Sequence, residues 1–132
     1  MAEDQRGLLD TQAFIWFVTG NPSLSRSAHS FITDPSTEVL FSVVSAWEIV
    51  IKEALGKLSL GVPAEQLIAD QISREVLTVL TVTLPHVLRV RGLGGHHRDP
   101  FDRLLVAQAL EEDVLLITND PLLAPYGART LW

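Results

Sequence analysis

"DPFDRLLVAQALEEDVLLITND", residues 99–120, carries three signals in a row. Asp99 before Pro100 reads as a helix start, because a carboxylate accepts first-turn N–H groups and proline needs no partner at the first helical position. The stretch from Pro100 to Asp113 then reads as a strong helix, and "VLLIT" at 114–118 as a short buried strand. Asp120 follows that strand by two residues. A helix feeding a strand that ends on an acid is one unit of an alternating α/β chain.

The same alternation extends to both termini. "GLLD" at 7–10 reads as a strand closing on Asp10, and "TQAFIWFVTGNP" as a helix stopped by Gly20 and Pro22. "SLSRSAHSFIT" is a second helix, with Ser23 as its expected cap. "EVLFS" at 38–42 is the next strand. The helix "AWEIVIKEALGKL" follows, capped by Ser45 or a neighbour and ending near Gly56. "VPAEQLIADQISREV" is helical with Pro63 in its first turn, and the β-branched "LTVLTV" at 77–82 predicts a buried strand. "PHVLRVRGL" is a short helix running into glycines 92, 94 and 95, "NDPLLAPYG" a turn or short helix, and "RTLW" a last strand. The pattern predicts one domain over residues 1–132, a three-layer α/β/α sandwich around a mainly parallel sheet of four to five strands.

Composition narrows the function classes. The 132 residues are 47% hydrophobic and 20% charged, enough apolar mass for a core and unlike a disordered chain. Cysteine is absent, which excludes disulfides, thiolate zinc sites and a cysteine nucleophile and predicts a cytoplasmic setting. The polar start "MAEDQRG" does not resemble a secretion signal, and no apolar run reaches the ~20 residues of a membrane span, so a soluble protein is expected. The net charge of −6 argues against holding nucleic acid by bulk attraction. It leaves room for a nuclease whose acidic site meets phosphate through a metal. Four of the eight arginines, Arg89, Arg91, Arg98 and Arg103, fall within fifteen residues. They would grip phosphates, or they form a solvated loop.

In a right-handed βαβ unit, strand C-termini and the following helix N-termini share one edge of the sheet, where ligands of open α/β sheets bind. Asp10, Glu48, Asp99, Asp102 and Asp120 all map to that edge. Each acid alone reads equally well as a cap or a solvated side chain. Together they are costly, since two carboxylates ~5 Å apart repel by about 3 kcal/mol at an effective dielectric of ~20. Hard oxygen donors without cysteine suit Mg²⁺ or Mn²⁺, and such an ion serves phosphodiester hydrolysis. Of the "DPFD" pair, Asp99 is the expected cap and Asp102, near the positive end of the helix dipole, the better ligand. His96 and His97 lack the spacing of paired metal ligands and suit the loop or substrate better.

"LLDTQAFIWF", "SAWEIVIKEALGKL", "HHRDPFDRLLVAQAL" and "LITND" resemble, in that order, the motifs of PIN-domain ribonucleases. The likeness is greatest to the VapC-like toxins of toxin–antitoxin pairs, and it covers Leu8 to Trp132. The resemblance implies a PIN-like sandwich in which the first and fourth strands are neighbours. It also implies a Mg²⁺- or Mn²⁺-dependent endoribonuclease acting through Asp10, Glu48, Asp102 and Asp120, with Asp10, Asp102 and Asp120 on the metal. Thr118 matches a hydroxyl residue often found two positions before the last acid, and with Arg98 and Arg103 it is a candidate for binding RNA. Gln12 departs from the pattern, which often has histidine there. A homodimer and a small antitoxin lying across the site are further implications. Phe14, Trp16 and Phe17 are candidates for the antitoxin groove, although their spacing favours core packing. Lys52, one turn after Glu48, either forms an ordinary i,i+4 pair or leans into the site.

Two rival folds fail on their acids. A signalling receiver domain needs paired acids after the first strand and a late lysine, but both lysines here, Lys52 and Lys57, come early. A D-x-D phosphatase needs a second acid that "LLDTQ" lacks. A PIN-like binding module without catalysis is the remaining alternative.

Overall fold

The computed structural model describes residues 5–95 and 99–132. Its elements are β1 (Arg6–Leu9), α1 (Thr11–Thr19), α2 (Arg26–Thr33), β2 (Glu38–Ser42), α3 (Val43–Ala54), α4 (Ala64–Ser73), β3 (Thr78–Leu80), α5 (Leu84–Val90), α6 (Pro100–Glu112), β4 (Leu115–Ile117) and β5 (Thr130–Leu131). A 3₁₀ turn at Ala124–Tyr126 lies between β4 and β5. The strands form one all-parallel sheet in the order β3-β2-β1-β4-β5. The expected α/β sandwich is the observed one.

Alternation along the strands divides the core between two faces. Leu8, Leu40 and Leu116 pack with Val90 of α5 and with Leu105, Val106 and Ala109 of α6. Leu9, Val39, Phe41 and Ile117 pack with Ala13 and Phe14 of α1, Ala28 and Ile32 of α2, and Ala64 of α4. α3 serves both faces, giving Val44 to one cluster and Ile49 to the other. Gly7 lets the α2 side chain Phe31 lie directly on β1: a Cβ there would come within 2.7 Å of the ring.

Three local expectations shift. Ser25, not Ser23, caps α2 by accepting from the Ala28 N–H. Ser42, the last residue of β2, caps α3, so the helix begins before Ser45 and buries that residue. β3 is a three-residue edge strand with Thr78 and Val79 exposed, not a buried one. Its β-branched residues suit any pleated surface, and they do not report which position in the sheet the strand takes.

Strand order fixes where a ligand can enter. From β1 the chain builds outward through β2 and β3, then returns to add β4 on the opposite side. The crevice beyond the C-terminal ends of β1 and β4 is thus the topological switch point of the sheet.

Candidate active site

Asp10 stands at that crevice as the N-cap of α1, its Oδ1 accepting from the Ala13 N–H at 2.7 Å. The Asp10 N–H donates to the Ile117 carbonyl of β4 at 3.1 Å, so the end of β1 is tied to the end of β4. Thr118 joins the acids that follow the two strands. Its hydroxyl hydrogen-bonds the Asp10 carboxylate and accepts from the Asp120 N–H at 3.0 Å. Asp120 in turn accepts from the Leu122 N–H at 2.9 Å, which fixes the turn after β4.

Glu48 and Lys52 reach the same cleft from α3. Glu48 Oε1 accepts from the Thr11 hydroxyl at 2.7 Å, and Lys52 Nζ donates to Oε2 at 2.6 Å. Thr11 also lies 2.9 Å from the Ser45 hydroxyl. Asp99 caps α6, its Oδ1 accepting from Phe101 and Asp102 N–H groups at 2.9 and 3.3 Å. Capping therefore occupies Asp99 as expected, while Asp102 stands in the first turn.

These acids converge. A cleft of about 490 Å³ is lined by Asp10, Glu48, Asp99, Asp102 and Asp120 together with Thr11, Gln12, Ile15, Lys52, Asn119 and Pro121. Burial pushes the Asp10 carboxyl up to about 6, against the hydrogen bonds from Thr118 and Ala13, and repulsion from Asp120 and Glu48 adds to the rise. The Lys52 ammonium is held above the usual lysine range by its hydrogen bond to Glu48; partial burial opposes this, and the charges of Glu48, Asp99 and Asp102 support it.

The donor set is oxygen only, and the buried Asp10 carboxylate lies beside the charges of Asp120 and Glu48. Both features fit a hard divalent cation. Among the described residues no group of three acids or histidines is gathered tightly enough to hold a metal ion as the side chains lie. The carboxylates answer instead to protein partners, as the Ala13 N–H on Asp10 and Lys52 on Glu48 illustrate.

Of the residues singled out in the sequence, the cleft unites Asp10, Glu48, Asp102 and Asp120. Thr118 is 3% exposed, beneath the cleft rather than on its surface. Arg103 donates to the Gly94 and Val90 carbonyls and to the Tyr126 hydroxyl, tying α6 to the end of α5 and the loop beyond it. The readings of His96, His97 and Arg98 lie outside the described residues. Phe14 is core, as its spacing favoured, whereas Trp16 and Phe17 border a separate groove with Leu24, Arg26 and His29. Sequence reasoning did not assign Thr11 to the site, and it read Ser45 only as a helix cap. A hydroxyl beside an acid and another three residues before one were the only signals available.

No curated protein sequence matches the chain significantly. The PIN domain family model matches residues 7–127. Among solved structures, DNA-bound VapBC from Salmonella typhimurium is similar at a TM-score of 0.69 and 18% identity, with 96% of each chain covered. VapBC2 from Rickettsia felis, bound to a DNA fragment from its promoter, gives 0.65 and 14%, covering 96% of this chain and 97% of that one. VapBC-1 from nontypeable Haemophilus influenzae gives 0.62 and 19%, with 96% of each covered. At these identities the likeness is one of fold.

Proposed function

Because this chain belongs to the PIN domain family, we propose that it is a metal-dependent endoribonuclease, the VapC-like toxin of a toxin–antitoxin pair, acting in the cytoplasm as one PIN-like domain over residues 1–132. The observation that carries the reading is the convergence of Asp10, Glu48, Asp102 and Asp120, from four separate segments, on one cleft at the switch point of the sheet. Asp10, Asp102 and Asp120 would hold Mg²⁺ or Mn²⁺, with Glu48 beside them. Such an ion supplies Lewis-acid stabilisation of charge on a phosphoryl group.

The chain's own residues supply position. Thr118 fixes Asp10 relative to the Asp120 backbone, and capping orients the first turn of α6 from which Asp102 projects. In the reaction a water oxygen attacks phosphorus, the bond from phosphorus to O3′ breaks, and O3′ takes up a proton. The products are a 3′-hydroxyl and a 5′-phosphate. Thr118 and Arg103 then serve RNA binding at one remove, Thr118 by fixing the acids and Arg103 by bracing the loop from which Arg98 would reach flanking phosphates.

An antitoxin partner is supported by the similar VapBC structures, and the groove of about 480 Å³ beside Trp16 and Phe17 suits an apolar segment of it. A homodimer is supported by apolar side chains left exposed on two helices, Val43, Trp47 and Val50 on α3 and Leu84, Val87 and Leu88 on α5.

Cleavage of total cellular RNA by the purified protein tests the reading. Cutting should require Mg²⁺ or Mn²⁺, stop with chelator, and fall about 100- to 1000-fold in Asp102→Asn, the scale of losing a preorganised group at the reacting centre. Equal cutting by both proteins would refute the site. Metal binding without cutting would leave a catalytically inactive PIN-fold binding module.

A further inference from the structure

Among the described residues lining the acidic cleft, Lys52 is the one cation, and the reaction outlined above gives it no task. Its helix neighbours do. A surface i,i+4 pair normally joins two mobile, solvated side chains. Here Glu48 is 5% exposed, and both its oxygens are engaged. A hydroxyl has one hydrogen to give, so Thr11 spends its own on Glu48 Oε1 and accepts from Ser45. The chain Ser45–Thr11–Glu48 is buried throughout and ends on the ammonium.

A carboxylate held on one oxygen by a hydroxyl and on the other by an ammonium is a fixed seat for that cation. An ammonium carries three N–H donors, and Glu48 takes one. Asp99 and Asp102, at the N-cap and in the first turn of the facing α6, act on the same ammonium through their charges. Lys52 thus stands at the mouth of a cleft whose acids would otherwise repel an approaching phosphodiester.

We propose that Lys52 is a catalytic residue that donates a hydrogen bond to a non-bridging oxygen of the scissile phosphate, and that Glu48, Thr11 and Ser45 position it. This rests on the endoribonuclease reading and deepens it by giving Glu48, beside the metal-holding acids, the task of seating the lysine. Lys52 keeps its proton throughout and steadies the phosphoryl oxygens as water attacks.

The test compares wild type, Lys52→Met, Lys52→Arg and Glu48→Gln on a labelled RNA oligonucleotide spanning a cut mapped in total RNA, beside calorimetric titration of each protein with Mn²⁺ alone. Lys52→Met should lower kcat/KM about 100-fold, the scale of losing one oxyanion donor. The slope of log affinity against log salt should become shallower by about 0.7, one contact to single-stranded RNA. Mn²⁺ should bind Lys52→Met at least as tightly as wild type, because a positive charge has left the cleft, and Glu48→Gln only modestly less tightly, because a nearby negative charge is lost but no ligand. Lys52→Arg should recover part of the activity because it keeps the charge.

Unchanged cutting by Lys52→Met would reduce the lysine to a surface ion pair and overturn the proposal. Faster cutting with tighter Mn²⁺ would also overturn it, making Lys52 a competitor that keeps Glu48 from the metal. So would loss of cutting together with loss of Mn²⁺ affinity. A wild-type protein that binds Mn²⁺ and cuts no RNA would instead refute the nuclease itself.

Discussion

Glu48 and Asp10 are acids of one cleft with nearly equal exposure, 5% and 6%, yet the chain treats their charges differently. Glu48 meets an ammonium on one oxygen and a hydroxyl on the other. Asp10 meets only neutral donors, the Ala13 N–H and the Thr118 hydroxyl, and faces the charges of Asp120 and Glu48. Burial sets a similar desolvation cost for both, and the partner's charge decides who bears it. The α3 wall of the cleft carries its own cation, while the β1–β4 wall is where the proposed metal ion would sit.

The largest effect expected from this difference is on stability. Asp10 titrates near 3.8 in an unfolded chain and at about 6 when folded, so between those values the folded state binds the extra proton. Metal-free protein should therefore lose stability as pH rises from about 4 to about 6 and hold level above, by up to about 3 kcal/mol for a shift of this size. Asp10→Asn, which still caps α1, should be the more stable protein at pH 7.5 by up to that amount, with the gain fading toward pH 4. Urea unfolding at several pH values checks this, and a gain independent of pH would erase the contrast between the walls.

A smaller effect is expected on the other wall. Thr11→Val keeps the shape of α1 but leaves the Ser45 hydroxyl and Glu48 Oε1 without their partner, costing about 2 kcal/mol. Thr11→Ser should restore most of it, measured by the same unfolding curves. Smallest is Asp99→Ala, which removes a cap worth about 1 kcal/mol. RNA cutting should fall far less in that variant than in Asp102→Asn, and equal losses would make Asp99 a ligand rather than a cap.

The acids could be read from the sequence because the alternation of elements sends strand ends and helix starts to one edge, whatever the details of packing. Asp99 and Asp102 could even be separated, since proline after an acid marks a cap. What binds the acids together was not legible in the same way. Lys52 was left between two readings because spacing along α3 cannot tell an outward pair from one turned over a cleft. Ser42 and Ser45 are equally good caps by type, and only the register that pairs Ser42 with Leu80 of β3 settles where the strand ends. Buried polar residues were hidden too. Gln108 lies in the apolar run of α6, yet it is fully buried, accepting from Ser42 at 2.6 Å and donating to the Thr81 carbonyl at 3.3 Å. His86, also fully buried, accepts from the Thr83 N–H through Nδ1 and meets Glu112 through Nε2 at 2.8 Å. Such pairs join distant segments, and no local periodicity announces them.

The most direct test of the two-wall account is thermal unfolding at pH 7.5 with and without Mn²⁺, for wild type, Asp10→Asn and Glu48→Gln. At about 100 times the wild-type Kd, Mn²⁺ should add about 2.7 kcal/mol to wild type, most of that to Glu48→Gln, and little to Asp10→Asn. Equal loss of the Mn²⁺ effect in both variants, or no effect on wild type, would contradict it.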